Sequence, residues 1–134
     1  VNIESYQRHQ TDDIALLETS DSKHPCFQGK ISSDNHIGDF VFIIGYNDDN
    51  NQHYREGKIT RKLGNLGFII TSDIFPGDSG GAVIALEFGQ PVLTGMLLAT
   101  DRDKTRYAYA ITGSRICDFL KETPLFNDYC EDKK

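Results

Sequence analysis

The sequence lacks the features that mark several common classes of protein. No stretch approaches the roughly 18 consecutive apolar residues that a membrane-spanning helix needs. Acidic residues outnumber basic ones, 20 against 14, and the net charge is −6, whereas a nucleic-acid-binding domain needs a basic surface. Internal repeats and low-complexity segments are absent from the sequence as well. We therefore expect neither a membrane nor a nucleic acid among the partners of this chain.

Cysteine is also scarce. The three cysteines, Cys26, Cys117 and Cys130, form an odd set without Cys-x-x-Cys spacing, so the sequence predicts no metal site and no cofactor. Cys26 and Cys117 are most simply interpreted as small buried hydrophobic residues. This use of cysteine slightly favours a reducing, cytoplasmic compartment.

The most informative segment that is present reads Pro-Gly-Asp-Ser-Gly-Gly, at residues 76–81. Glycine adopts backbone angles closed to other residues, so the glycines on both sides of Ser79 allow a sharp turn around it. Such a turn can expose the hydroxyl and aim backbone N–H groups at one point, as an acyl-transfer nucleophile requires. A Gly-rich hairpin with a solvated serine is the alternative. The length of the motif and the apolar run at residues 82–86 favour catalysis.

This motif resembles the nucleophile loop of the chymotrypsin- and trypsin-like serine peptidases. A second match is Asp-Ile-Ala-Leu-Leu at residues 13–17, which is similar to the strand that carries the family's triad aspartate and precedes the serine in the family's order. Residues 92–98 resemble the strand after the nucleophile loop. Residues 107–111 and 116–120 resemble the closing strand and the C-terminal helix, so the resemblance runs from about residue 12 to residue 121.

The resemblance implies catalytic roles for individual residues. Ser79 would be the nucleophile, and the backbone N–H groups of Gly77 and Ser79 would form the oxyanion hole. Asp13 would orient the imidazole of the triad and stabilise its protonated form, with the neighbouring Asp12 as an alternative.

The resemblance also implies a substrate pocket. Asp73 lies six residues before the serine, where trypsin-like members carry the acidic floor of a pocket for Arg or Lys. An apolar preference stays open, because residues 71–74 also resemble a strand end of bacterial and organellar relatives that prefer apolar residues. Thr100 stands where trypsins keep a glycine at the pocket mouth, and the larger side chain would narrow the entrance.

One member of the triad is missing from this pattern. The family's histidine lies tens of residues before the aspartate, in the first of two β-barrels, but only 12 residues precede Asp13. His9 is the one upstream histidine, and four extended residues span about 13 Å, so it would need a tight reversal to reach Asp13. The other three, His24, His36 and His53, lie in polar, turn-like segments typical of a surface. We therefore expect the histidine to come from an N-terminal segment or a second chain that carries the first barrel.

Short strands at regular intervals predict an all-β fold. Residues 39–46 are rich in β-branched and aromatic residues and predict a buried strand, followed by a loop at 47–52. Residues 57–61 alternate with Ile59 inward, and residues 66–71 follow the turn signal Gly-Asn. The strands that flank the serine and a strand at 106–112 complete a six-stranded antiparallel barrel.

The pattern becomes helical around Ile116, Phe119 and Leu120, and residues 123–124 end this C-terminal helix. Taken with the resemblance, residues 1–25 would be the end of a missing first barrel, from a strand at residues 14–18 into a linker at 19–25. Residues 26–134 would form the second barrel and its helix.

Two functions fit this sequence. The first is a trypsin-like serine endopeptidase that hydrolyses peptide bonds through an acyl-enzyme, with its histidine supplied from elsewhere. The second is an inactive pseudo-peptidase that keeps the barrel as a module for binding peptides or proteins. The intact nucleophile motif and Asp13 favour the first.

Overall fold

The computed structural model describes residues 3–8, 14–19, 26–46, 51–72, 79–101 and 104–130. Residues 1–2, 9–13, 20–25, 47–50, 73–78, 102–103 and 131–134, with the predictions made for them, lie outside the described residues. The secondary structure consists of eight strands and two short helices within these ranges, namely β1 (Ile3–Arg8), β2 (Ala15–Thr19), β3 (Phe40–Tyr46), β4 (Gln52–Lys62), β5 (Gly67–Thr71), β6 (Ala82–Glu87), β7 (Gln90–Asp101), β8 (Lys104–Thr112), α1 (Gly113–Leu120) and α2 (Leu125–Tyr129). Neither helix of this described part is long and apolar enough to cross a bilayer.

Six of the strands close into an antiparallel barrel, in the order β3-β4-β5-β8-β7-β6. Consecutive strands pair within two three-stranded meanders, β3-β4-β5 and β6-β7-β8. Two seams then join the meanders, β3 with β6 and β5 with β8. The predicted six-stranded antiparallel barrel is confirmed.

The barrel encloses an apolar core built by alternation along the strands. Val41 and Ile43 of β3 are 1% and 2% exposed, while their neighbours in sequence face outward. Ile59 is buried at 1% exposure between exposed Lys58 and Thr60, as predicted. Burial of one such side chain contributes about 1.5–3 kcal/mol. The core cluster comprises Val41, Ile43, Ile59, Phe68, Ile70, Val83, Leu97, Ala108 and Ala110.

A second apolar cluster lies between the two helices, Ile14 and the strand β2 that follows it. One face of α1 supplies Ile116, Phe119 and Leu120, and this face packs with Ile14 and Ile111. The helical spacing predicted for the three α1 residues is therefore correct, although α1 begins as early as Gly113.

The prediction for the cysteines was wrong. Cys117 forms a disulfide with Cys130, with Cα atoms 5.7 Å apart, and Cys26 is an exposed free thiol. The turn between α1 and α2 brings the two cysteines together, and this proximity cannot be read from their spacing alone. The expectation of a reducing compartment, which depended on unpaired buried cysteines, loses its basis.

Residues 26–39 attach to the barrel through backbone and side-chain hydrogen bonds. The Ile31 N–H donates to the Tyr129 carbonyl and the Ser32 N–H to the Leu93 carbonyl, each at 2.8 Å. The buried Asn35 amide donates to the hydroxyls of Thr94 and Thr112, at 3.2 Å each. These bonds fix the segment that leads from β2 toward β3 against β7 and α2.

Several element boundaries differ from prediction. β1 was not predicted, because its residues are mostly polar and it pairs only with β2 in a separate two-stranded sheet. β4 begins at Gln52, opposite Tyr46, where a loop was expected. The C-terminal region has two helices in place of one, with Pro124 at the N-cap position of α2, where its missing N–H breaks no intrahelical hydrogen bond.

Candidate functional site

Ser79 occupies an exposed turn directly before β6. The next residue, Gly80, has φ +86°, a left-handed conformation that residues with a Cβ adopt at a cost of about 1–2 kcal/mol. A Cβ at this position would meet no atom within 4 Å, so the backbone conformation and not crowding favours glycine here. The sharp turn predicted from the glycines is present at Gly80.

The turn is fixed to a neighbouring strand on its C-terminal side. The Gly80 N–H donates to the Leu97 carbonyl at 2.7 Å, and the Leu97 N–H donates to the Gly81 carbonyl at 2.9 Å. Ala82 then continues the pairing opposite Met96 of β7. The serine is therefore held at the end of a barrel strand, where position is better defined than in a free loop.

An open cavity of about 280 Å³ lies beside Ser79. The end of β3 forms one wall, because β3 pairs with β6 through Ile44 and Ala82. The lining residues are Ile44, Gly45, Tyr46, Ser79, Gly80, Gly81 and Ala82. None of these residues is charged or a histidine.

A larger cavity of about 350 Å³ lies against the same turn, with Gly80 and Ala82 in its wall. Its lining is almost entirely apolar and comes from β2, residues 26–31, β7 and the two helices. Ile14, the residue after Asp13, lines this cavity together with Gly80, the residue after Ser79. The chain positions that follow the two predicted catalytic residues therefore border one common space.

The remaining predicted site residues are only partly described. Asp13, Gly77, Asp73 and His9 lie outside the described residues, as does the alternative Asp12. Thr100 belongs to β7, where it pairs with Ala108.

The two described histidines lie in different surroundings. His36 is exposed in a turn, with its ring 3.5 Å from the Asp34 carboxylate, in agreement with the surface position expected from the sequence. His53 is half-buried within β4, opposite Gly45, so the turn-like surroundings expected for it were wrong. The register of β3 and β4 brings His53 near the Ser79 cavity wall, and the sequence carries no local signal of that register.

Tyr46 was not identified from the sequence. It contributes to the Ser79 cavity only through the pairing of β3 with β6, and these two strands are separated by two other strands in the chain. A single sequence does not reveal such a contact.

A family model of the trypsin-like peptidase domain matches residues 1–92. No curated protein matches the chain.

Three solved structures illustrate the similarity in fold. The Rv3671c protease from M. tuberculosis in its active form has a TM-score of 0.69 at 20% identity, over 84% of this chain and 54% of that one. A serine endoprotease from Yersinia pestis gives 0.64 at 23% identity, over 87% and 41%. The HtrA-type protease AlgW, solved with a decapeptide, gives 0.63 at 24% identity, over 81% and 36%. The chain thus spans about half or less of the length of these structures.

Proposed function

Because the chain belongs to the trypsin-like peptidase domain family, we propose that it is the C-terminal portion of a serine endopeptidase whose nucleophile is Ser79. The observation that carries the proposal is the turn itself. An exposed serine is followed by a left-handed glycine, is anchored to β7 and borders an open cavity. Acyl transfer needs an accessible hydroxyl held in a defined position.

The reaction would proceed through an acyl-enzyme. An imidazole takes the Ser79 proton while Oγ attacks the peptide carbonyl, and the same imidazole then protonates the leaving amine. The N–H groups of Gly77 and Ser79 would hold the oxyanion, and loss of one such donor costs roughly 100-fold or more in rate. Water then hydrolyses the ester and restores the serine.

Asp13 would orient the imidazole and stabilise its positive charge. The apolar cavity that borders both Ile14 and Gly80 supports this assignment, since it brings the strand after Asp13 close to the turn after Ser79.

The histidine would come from a first barrel, as an N-terminal segment or a second chain. Two observations support this: the chain spans 54% of the Rv3671c protease structure and 41% of the Yersinia pestis one, and β2 leaves Leu17 52% exposed on the side away from the helices. We use the term completed enzyme for this chain together with that first barrel. In it, Asp73 and Thr100 would line the pocket for the substrate residue before the cleaved bond.

The proposal is tested by hydrolysis of short peptides. The 134-residue chain alone should show negligible activity, because removal of a triad member leaves only a residual rate. The completed enzyme should cleave, Ser79→Ala should abolish cleavage, and the exposed serine variant Ser33→Ala should leave it unchanged.

Two results would contradict parts of this proposal. Robust cleavage by the purified chain, abolished by Ser79→Ala, would show that the histidine lies within it and would point to His9. A completed enzyme that binds peptides but never cleaves them would instead identify a pseudo-peptidase that serves as a binding module.

A further inference from the structure

The outer face of β3 is unusual for a barrel strand. Phe40, Phe42, Ile44 and Tyr46 all point outward, alternating with buried inward residues. The solvent face of an antiparallel sheet is commonly polar, whereas every outward position here is apolar or aromatic. Phe40 is 74% exposed and Tyr46 is 52% exposed, so the barrel core does not account for either.

This apolar face ends at the nucleophile. Ile44 and Tyr46, the last two outward residues of β3, form the wall of the cavity that Ser79, Gly80 and Gly81 close on the other side. Ser79 and Tyr46 therefore line the same cavity, so a molecule that reacts with Ser79 has part of its surface near Tyr46.

The order of the strands decides which part of a substrate reaches this cavity. In the barrel, β6 pairs with β3 on one side and with β7 on the other. β8 lies beyond β7. Thr100 belongs to β7, where it pairs with Ala108 of β8. The pocket proposed for the residue before the cleaved bond is therefore on the β7 and β8 side of the nucleophile. The cavity is on the β3 side.

We propose that the cavity between β3 and the nucleophile turn receives the substrate residue that follows the cleaved bond, and that Tyr46 selects a large apolar side chain there. The inference rests on the proposed peptidase function, because an extended peptide across Ser79 places the residues flanking its scissile bond on opposite sides of the serine. The lining offers no charge to pair with an ionic side chain. A tyrosine ring can contact an apolar side chain at an open site, because the ring is apolar while its hydroxyl can remain in contact with water.

The test measures the binding of two short peptides with free amino termini, because such peptides represent the product released after acylation. The two peptides are identical except for the first residue, which is Leu in one and Gly in the other. The host is the 134-residue chain with Ser79→Ala, or its complex with the first barrel if the chain alone lacks a dispersed amide NMR spectrum. The Leu peptide should bind about 5- to 10-fold more tightly than the Gly peptide and shift the amides of Gly45, Tyr46 and Gly81.

Three variants assign the preference to the ring of Tyr46. Tyr46→Ala should reduce the Leu-to-Gly ratio to within about 2-fold, and Tyr46→Phe should retain it. Phe40→Ala is the matched control, since Phe40 is exposed on the same face of the same strand but about 20 Å away. It should leave the ratio unchanged. A ratio that persists in Tyr46→Ala, or amide shifts confined to other strands, would overturn the inference.

A kinetic measurement distinguishes this inference from the proposed function. In the completed enzyme, Tyr46→Ala should lower kcat/KM about 5- to 10-fold for peptides with Leu after the cleaved bond and so reduce the Leu-to-Gly ratio of kcat/KM to within about 2-fold, whereas Phe40→Ala should leave that ratio unchanged. An absence of any Ser79-dependent cleavage would refute the peptidase, while the peptide affinities would still decide the cavity's occupant. Cleavage with equal kcat/KM for Leu and Gly would refute the role of Tyr46 and leave the peptidase intact.

Discussion

At the scale of single residues, the backbone conformation of one glycine positions Ser79, the proposed nucleophile. Gly80 and Gly38 both adopt left-handed angles, φ +86° and +99°, and at both a Cβ would meet no atom within 4 Å. Alanine at either position should therefore lower the free energy of unfolding by about 1–2 kcal/mol, through backbone strain alone. Urea denaturation of the completed enzyme checks this magnitude.

The two substitutions should differ in their effect on activity. Gly80→Ala displaces Ser79 and should lower kcat/KM more than 10-fold, whereas Gly38→Ala, in the turn before β3, should leave it within about 2-fold. Equal losses of activity in the two variants would mean that the turn at Gly80 supports stability and not catalysis.

Asp73 provides a second prediction at the residue scale. A carboxylate in a narrow pocket is costly to bury unless a cation pairs with it, so a substrate Arg or Lys gains the pairing and relieves that cost. Asp73→Ser should lower kcat/KM of the completed enzyme on Arg substrates on the order of 100-fold and leave apolar substrates nearly unaffected. A wild-type preference for apolar residues that Asp73→Ser does not alter would contradict this role.

Residues differ in how far the sequence alone identifies them. Ser79 is found readily, because its motif is local and the turn it predicts depends only on adjacent glycines. Tyr46 and His53 cannot be found this way, because their positions depend on how β3 pairs with β6 and β4. Cross-strand register is set by the packing of the whole barrel.

At the scale of secondary-structure elements, a disulfide joins the two C-terminal helices. Cys117 and Cys130 are 13 residues apart, and closure of a loop of this length contributes about 3 kcal/mol by restricting the unfolded chain. The double variant Cys117→Ala/Cys130→Ala should lower the free energy of unfolding by about 2–3 kcal/mol. Cys26→Ala should change it little, because that thiol is exposed and unbridged.

Urea denaturation with and without a reductant measures this effect. The reductant should lower the midpoint of the wild-type chain and of Cys26→Ala, and leave the double variant unaffected. A wild-type midpoint that does not respond to reductant would show that the bond contributes nothing to stability.

The secondary-structure elements show the same contrast between features that short segments of the sequence predict and features that depend on distant pairing. Strands β3 and β5 and helix α1 were predicted within a few residues, because alternation and helical spacing are properties of short segments. The sequence carries no comparable signal of β1, whose strand conformation depends on pairing with β2. It also gave no sign of the link between the helices, which depends on the turn that starts α2 at Pro124.

At the scale of the whole molecule, two of the strands pair outside the barrel. β1 and β2 form their own two-stranded sheet, and an isolated sheet of two strands is marginally stable. Leu16 packs toward the helices while Leu17 is 52% exposed on the opposite side. We therefore expect the isolated chain to be incompletely stable, and the first barrel to raise its thermal unfolding temperature.

Leu17 allows this expectation to be tested with a single substitution. Leu17→Ser should weaken association with the first barrel, while Leu66→Ser, at a comparably exposed leucine before β5, should not. Thermal unfolding of the chain with and without the first barrel, for both variants, provides the measurement. High, cooperative stability of the monomeric wild-type chain would contradict the need for a partner barrel.

The division of the barrel into two meanders also predicts the order in which the strands pair during folding. Each meander pairs neighbouring strands, but the seams join residues 42 positions apart, Phe42 with Ile84 and Phe68 with Ala110. Distant pairings form late in folding, since their loop-closure entropy must be overcome first. Ser79 precedes β6 at the junction between the meanders, and its cavity wall belongs to β3. A partly folded chain therefore already contains Ser79 but not the cavity beside it, and the proposed site is complete only when the ring of strands closes.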